Sequence, residues 1–328
     1  MKTVNKLYIF FFILVISFWS WYMFSFDAFE LFEQHWMISL TMVVGSFIAG
    51  ASSEGGGAIA YPVFTLLLDI PPAVARNFSF AIQSIGMTAA SLTIIGLRIK
   101  IELKAILYAS IGGLFGLILG SFFLLELFSN TITKLFFVSL WLSFGFALFL
   151  TNKIKNRIVQ QKLSLSTRGD ISKLLLFGFV GGIITSLFGN GIDIFTFCLL
   201  TLFYGLSEKI ATPTSVVIMT INTIGGFFIH LFALKDFQHM AFEYWMVSIP
   251  IVIVFAPVGA VFISKVSRHT ITYLLYAILL AQYIGAIIII RPSFWQLLMS
   301  MGVIFFGFLF FWRFSRKARM RQMQILTG

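Results

Sequence analysis

The sequence is poor in charge and has almost no cysteine. Charged residues make up 11% of its 328 positions, with only 12 Asp and Glu against 23 Lys and Arg, and Cys198 is the single cysteine. Soluble domains carry about 25% charged residues, so the composition excludes an ordinary soluble enzyme and a disordered regulator. One cysteine forms no intramolecular bridge, which excludes a secreted disulfide scaffold.

Apolar residues are abundant instead. They make up 59% of the chain, and Phe alone contributes 41 residues. A soluble sphere has too little interior to hide this much hydrocarbon, so much of the surface must face lipid. The composition therefore predicts an all-α polytopic membrane protein.

Apolar runs of about 20 residues are long enough to cross a bilayer as helices. Eight such runs predict eight full crossings, at 7–26, 73–97, 105–125, 131–150, 210–234, 244–263, 271–290 and 294–312. Two further apolar stretches, 36–68 and 174–204, are interrupted by Gly-rich breaks at 50–57 and 189–193. Their arms are only about 12–15 residues long, which predicts re-entrant or broken helical hairpins.

The positive charges favour one topology. With each hairpin returning to its starting side, 19 Lys and Arg residues lie on the cytoplasmic face, three on the outer face, and Arg76 lies within a crossing. Lys and Arg accumulate on the cytoplasmic side of membrane proteins, so we predict the inner membrane with both termini in the cytoplasm. The cytoplasmic Lys and Arg residues then explain the net charge of +11, and the charge does not indicate a nucleic-acid partner.

The chain contains a weak internal repeat. A shift of 136 positions aligns Gly45 with Gly181 and Ser79 with Ser215 without a gap. Three crossings separate the two units, so the repeats are predicted to be inverted, as in many transporters. The predicted segments are an N-terminal extra helix (1–35), a first repeat (36–151), a basic linker (152–173), a second repeat (174–290) and a C-terminal helix with a basic tail (291–328).

Residues 36–290 resemble the TauE/SafE family of sulfite and organosulfonate exporters. The resemblance rests on Gly45, Gly50, the Gly55–Gly57 triplet and Pro62, followed by the segment 70–75 (Ile-Pro-Pro-Ala-Val-Ala). The second half repeats this order through 189–191, 205–211 and 212–215. The resemblance implies a membrane carrier for a small anion. The chain departs from the family pattern by placing carboxylates, Glu54 and Asp193, at the two breaks.

The candidate substrate-binding residues lie at the breaks and on the helices that follow them. Glycines permit unwound backbone with N–H groups near a ligand, although close helix packing uses small residues too. Arg76 offers a positive charge for an oxyanion, with snorkelling to the interface as the alternative. The polar side chains alternatively serve interhelical hydrogen bonds. The candidates are Gly55, Gly56, Gly57, Arg76, Asn77, Ser79, Gln83, Gly189, Asn190, Gly191, Thr212 and Ser215.

Glu54 and Asp193 have two interpretations. A carboxylate inside a membrane costs at least about 2.5–3.5 kcal/mol, which favours a functional role in proton or cation coupling. A carboxylate at the start of a half-helix also caps backbone N–H groups. His230 is interpreted as a hydrogen-bonding residue of the bundle interior.

The sequence favours a secondary transporter of a small sulfur-containing or organic anion, working by alternating access with or without proton coupling. It contains no P-loop, no metal-ligand spacing and no catalytic triad pattern, so we expect neither an enzyme nor a cofactor. The expected partners are the anion and the bilayer, and the sequence gives no support for a homodimer. The alternatives are a passive anion channel or uniporter, and a membrane assembly or sensory component without transport.

Overall fold

The structure is a computed structural model that describes residues 6–52, 63–125, 130–153, 159–163 and 168–327. This described part is 86% helical and contains no strand, which confirms the predicted all-α class. The α-helices are α1 (Lys6–Ser25), α2 (Glu30–Gln34), α3 (Trp36–Ala51), α4 (Pro72–Gly96), α5 (Leu103–Phe123), α6 (Asn130–Asn152), α7 (Arg168–Phe188), α8 (Ile192–Cys198), α9 (Glu208–Phe228), α10 (His239–Lys265), α11 (Arg268–Ile290) and α12 (Phe294–Thr327). Three π-helical turns accompany them: π1 (Val63–Leu67), π2 (Leu199–Phe203) and π3 (Ile229–Ala233).

Nine helices of the described residues are long and apolar enough to cross a membrane. Eight of them correspond to the predicted crossings, with ends that differ by up to five residues, and α12 continues beyond its crossing through the basic tail. The ninth is α7, the first arm of the second hairpin. It begins at Arg168, inside the segment predicted as the basic linker, whereas its apolar portion begins at Leu174. The described bundle is that of a multi-pass membrane protein.

The helix boundaries repeat at a fixed spacing. The first residues of α4 and α9, Pro72 and Glu208, are 136 positions apart, and so are the first residues of π1 and π2. The turns after π1 and π2 also contain equivalent hydrogen bonds. The Ile70 N–H donates to the Phe64 carbonyl, and the Leu206 N–H donates to the Leu200 carbonyl. At these positions the two halves therefore place the same elements at equivalent residues.

The first arm of each hairpin packs against the other repeat. Helix α7 lies on α5, and α3 lies on α10, the counterpart of α5. Glycines make both contacts close: a Cβ atom added at Gly116 would overlap the Phe179 carbonyl, and one added at Gly259 would overlap the Phe47 carbonyl. Small residues allow membrane helices to approach in this way. The two repeats are thereby interlocked.

The helices that follow the hairpins, α4 and α9, contact one another at the centre of the bundle. The hydroxyl groups of Ser91 and Thr220 lie 2.8 Å apart across this contact. At the periphery, α1 is held to α10 by the Trp19 indole N–H, which donates to the Met246 carbonyl at 2.8 Å. Helix α12 packs on α6, where the Ser139 and Ser300 hydroxyls lie 2.7 Å apart. The central pair α4 and α9 positions the polar side chains described next.

Candidate functional site

The break of the second hairpin consists of the three residues between α7 and α8. Gly189 and Gly191 adopt φ angles of +77° and +142°, which residues with side chains rarely adopt. A Cβ atom at Gly189 would lie 2.6 Å from Cβ of Ser79, and one at Gly191 would lie 2.6 Å from Cγ2 of Ile184. The intervening Asn190 is fully buried. Both glycines are thus required by backbone conformation and by space.

Thr185 fastens this break to the end of α7. Its hydroxyl accepts the Ile192 N–H at 2.9 Å, and its carbonyl accepts the Gly189 N–H at 2.7 Å. The same hydroxyl donates to the Gly181 carbonyl. Thr185 was not among the predicted site residues. A hydroxyl one helical turn before a glycine break is the sequence feature that identifies it.

Asp193 stands at the start of α8 and is fully buried. Its Oδ1 atom accepts the N–H groups of Gly191 at 3.1 Å and of Ile194 at 3.0 Å. Asp193 is the second residue of α8, and its carboxylate therefore satisfies N–H groups of the first turn, the role that the capping interpretation from the sequence gives it. Its Oδ2 atom is buried and has no hydrogen-bond partner within the described part of the chain. One carboxylate oxygen of Asp193, Oδ1, therefore binds the start of α8, whereas the other, Oδ2, accepts no hydrogen bond from the described residues.

Helix α4 contributes Gln83 and Ser79 to the break. Nε2 of Gln83 donates to the Gly189 carbonyl at 2.8 Å and contacts the Ser79 hydroxyl at 2.8 Å. Both side chains are buried. Oε1 of Gln83 has no hydrogen-bond partner among the residues that the structure describes. The structure thus joins three of the predicted site residues, Ser79, Gln83 and Gly189.

Helix α9 carries Thr212 and Ser215, both buried. The Ser215 hydroxyl donates to the Thr212 carbonyl at 2.8 Å, within the same helix. The Thr212 hydroxyl is buried without a hydrogen-bond partner in the described ranges. Helix α9 packs against α4 and α8, so these residues lie on an element that flanks the break.

Arg76 and Asn77 both contact Asp236 with their side chains. Nη2 of Arg76 lies 3.2 Å from Oδ2 of Asp236, and Nδ2 of Asn77 donates to the Asp236 carbonyl at 2.8 Å. Arg76 is buried within the protein. Asp236 lies between π3 and α10 and was not predicted from the sequence. His230 is buried and hydrogen-bonded to Asp236, in agreement with its interpretation as an interior residue.

Four further predicted site residues lie outside the described residues: Glu54, Gly55, Gly56 and Gly57. Helix α3 ends at Ala51, directly before them, and Ser52 has extended backbone. Within the described ranges, no group of three or more His, Cys, Asp and Glu residues is placed to hold a metal ion.

A multi-pass bundle with a glycine break buried among polar side chains is typical of membrane transport proteins. Comparison with known families agrees with this class: residues 37–285, about three quarters of the chain, match the model of the family described as sulfite exporter TauE/SafE. The chain belongs to the sulfite exporter TauE/SafE family, as its motifs predicted. Neither the curated proteins nor the solved structures gave a match.

Proposed function

We propose that the protein is a secondary transporter of a small sulfur oxyanion or organosulfonate that works by alternating access. The proposal rests on its family, whose description names sulfite export, and above all on one observation. The glycine break at 189–191 is buried and hydrogen-bonded through Gly189 to the polar face of α4. Broken helices buried in a bundle are where such carriers bind their substrates.

The side chains around the break suit a small polar ligand. Amide and hydroxyl groups donate hydrogen bonds to oxyanion oxygens, and Asn190 and Thr212 supply such groups in buried positions. The amide N–H groups of Gln83 instead donate to Gly189 and Ser79, so Gln83 holds the break in place. Buried polar groups are costly unless they are hydrogen-bonded, so a bound ligand would stabilise the Thr212 hydroxyl, which has no hydrogen-bond partner among the described residues. The first break, with Gly55, Gly56 and Gly57, would form the opposite half of the site.

The interlocked arms suggest how the site would alternate. Helix α7 packs on α5 and α3 packs on α10, so a shift of one repeat carries one hairpin arm of the other with it. Rocking of the repeats around the breaks would then expose the anion first to one side and then to the other.

Asp193 would couple transport to protons. Its Oδ1 atom caps α8, whereas Oδ2 is buried without a hydrogen-bond partner in the described residues. An uncompensated carboxylate at such a position is unfavourable, so binding a proton during the cycle would stabilise it. Glu54 would have the equivalent role at the first break.

The transporter would reside in the inner membrane with both termini in the cytoplasm, in the orientation that its Lys and Arg residues favour. In this orientation α4 begins at the outer face with Pro72, and the connection between α9 and α10 also lies at the outer face.

Counterflow in proteoliposomes tests the proposal. Vesicles preloaded with sulfite, methanesulfonate or acetate are diluted into trace labelled anion at two pH values, beside protein-free vesicles. We expect saturable accumulation of labelled sulfite or methanesulfonate. Flux that rises linearly with concentration, without counterflow, would instead establish a channel, and no flux with any of the three anions would refute the proposal.

A further inference from the structure

The first turns of α4 place a buried cation beside an acidic side chain from the connection between π3 and α10. Nη2 of Arg76 lies 3.2 Å from Oδ2 of Asp236. The other carboxylate oxygen, Oδ1, lies 2.8 Å from Nδ1 of His230. Asn77 donates both to the Asp236 carbonyl and to Oε1 of Gln238, at 3.0 Å. We call these five residues the Arg76 cluster.

Asp236 holds Arg76 by one of its two oxygens. Arg and a carboxylate bind most strongly when both oxygens engage the guanidinium group, whereas here Oδ1 faces His230. The ring of His230 is itself fixed by stacking on Phe80, with centroids 5.2 Å apart. The Asp236 carboxylate is thus shared between two partners.

The two members of the ion pair differ in burial. The Arg76 side chain is 9% exposed, whereas that of Asp236 is 36% exposed. Asp236 also lies outside the regular helices, between π3 and α10, so its side chain can move without disrupting a helix. The carboxylate therefore covers a buried cation from the solvent side.

The Arg76 cluster and the glycine break share one stretch of α4. The Arg76 carbonyl is 3.0 Å from the position that a Cβ atom of Gly189 would occupy. One turn further along, Ser79 lies against Gly189, and Gln83 donates to the Gly189 carbonyl. An anion at the break is thus separated from the cluster by only the first turns of α4.

We propose that Arg76 is the outer anion subsite of the transport path, and that the Asp236 carboxylate occupies this subsite until the transported oxyanion displaces it. This inference rests on the proposed function, because it takes the path to run from the break to the outer face. A sulfite or sulfonate group presents several charged oxygens to a guanidinium group, as a carboxylate does. Asp236 would thereby prevent Arg76 from trapping the anion permanently.

The test measures anion binding to the purified protein through thermal stabilisation in detergent, with sulfite and methanesulfonate as probes and chloride to fix the ionic strength. Asp236→Asn keeps the shape of the side chain and removes its charge. We expect the half-saturating sulfite concentration to fall about tenfold relative to the wild-type protein. The double variant Arg76→Gln, Asp236→Asn is expected to lose this gain.

Glu243→Gln is the matched control. Glu243 lies near the start of α10 and pairs with His35 at 3.4 Å and His239 at 3.3 Å, so its neutralisation also removes one carboxylate near the outer face. The half-saturating sulfite concentration of Glu243→Gln should equal that of the wild-type protein. If Asp236→Asn is folded and binds sulfite no more tightly than the wild type, the Arg76–Asp236 pair is structural and the inference is wrong.

A second variant serves if Asp236→Asn does not fold. Gln238→Ala removes one hydrogen bond that fixes the connection and leaves both charges in place. Asp236 should then compete less well with sulfite for Arg76, and the half-saturating sulfite concentration should fall about twofold. An unchanged value overturns the inference.

Vesicle transport separates the inference from the proposed function. If Asp236→Asn gains binding while no variant moves an anion, the subsite stands and the transport function fails. If the wild-type protein transports sulfite while Asp236→Asn binds it with unaltered affinity, the function stands and the subsite fails.

Discussion

The carbonyl oxygen of Gly189 accepts a hydrogen bond from Nε2 of Gln83 at 2.8 Å, across 106 positions of sequence. This bond ties the break of the second hairpin to the helix that follows the first hairpin. The Gln83 side chain that makes this bond is buried. The consequences for transport are therefore testable at Gln83.

Gln83→Leu keeps much of the side-chain volume and removes the amide. The Gly189 carbonyl then loses its donor, and a buried acceptor without a partner is unfavourable by about 1–3 kcal/mol. We expect sulfite counterflow to fall at least about tenfold. Ser84→Ala is the control, since the Ser84 hydroxyl donates to the Ala81 carbonyl within its own helix and faces less buried surroundings. Equal counterflow in the two variants would contradict a role for Gln83.

Asp193→Asn separates capping from coupling. The amide oxygen of Asn can still accept the N–H groups of Gly191 and Ile194, so the variant should fold. It can no longer take up a proton, and we expect its sulfite flux to be independent of pH where the wild-type flux changes with pH. Asp170→Asn is the control, because Asp170 is also fully buried but is bonded to Tyr204 at the other end of α7. A wild-type pH profile in Asp193→Asn would remove Asp193 from the coupling mechanism.

Gly189→Ala tests the conformation of the break. The added methyl group would face Cβ of Ser79 at 2.6 Å while the backbone holds φ at +77°. Strain of this kind is worth about 1–3 kcal/mol, so the melting temperature in detergent should fall. Gly285→Ala in α11 has nothing within 4 Å of the new methyl group and should melt at or above the wild-type temperature. Indistinguishable melting of both variants would mean that the break has another conformation.

Gly116→Ala tests the contact between α5 and α7. The new methyl group would overlap the Phe179 carbonyl, so the two helices must separate. Overpacking of this kind costs about 1–3 kcal/mol and should lower the melting temperature. Gly302→Ala in α12, with nothing within 4 Å, provides the comparison. If Gly116→Ala is as stable as Gly302→Ala, the two helices are not in close contact.

Cysteine labelling tests the topology. Native Cys198 is buried and should react slowly with a membrane-impermeant maleimide in intact cells. We expect Lys235→Cys to be labelled from outside and Lys104→Cys only after the cells are opened. The reverse pattern would place the termini outside.

Much of the fold could be predicted because the bilayer imposes it. A backbone in hydrocarbon must satisfy its own hydrogen bonds, so apolar runs of about 20 residues become helices, and α4 (Pro72–Gly96) lies within one residue of the predicted crossing at 73–97. The length of α7 was harder to foresee, because Arg168 and Asp170 precede its apolar portion yet belong to the helix. Charged residues there extend the helix beyond the apolar pattern.

The site was predictable only in part. Glycine and polar spacing predicted Gly189, Ser79 and Gln83 as site residues, and the structure brings these three together. The partner of Arg76 had no such pattern: Asp236 lies 160 positions away in a connection between helices, and nothing local distinguishes it from other polar residues. The roles assigned to Glu54 and to Gly55–Gly57 stay predictions.

The exchange of hairpin arms between the repeats sets an order for assembly. Helix α7 meets α5 soon after it is made, because α5 has already been synthesised. Helix α3 can pack on α10 only much later in synthesis. The Ser39 hydroxyl of α3 donates to the Val247 carbonyl of α10, and the two residues are 208 positions apart in sequence. Until then the face of α3 that carries Gly50 has no helix to receive it. Helix α3 thus lacks this neighbour until most of the chain has been synthesised, and the nascent chain is vulnerable to mispairing there.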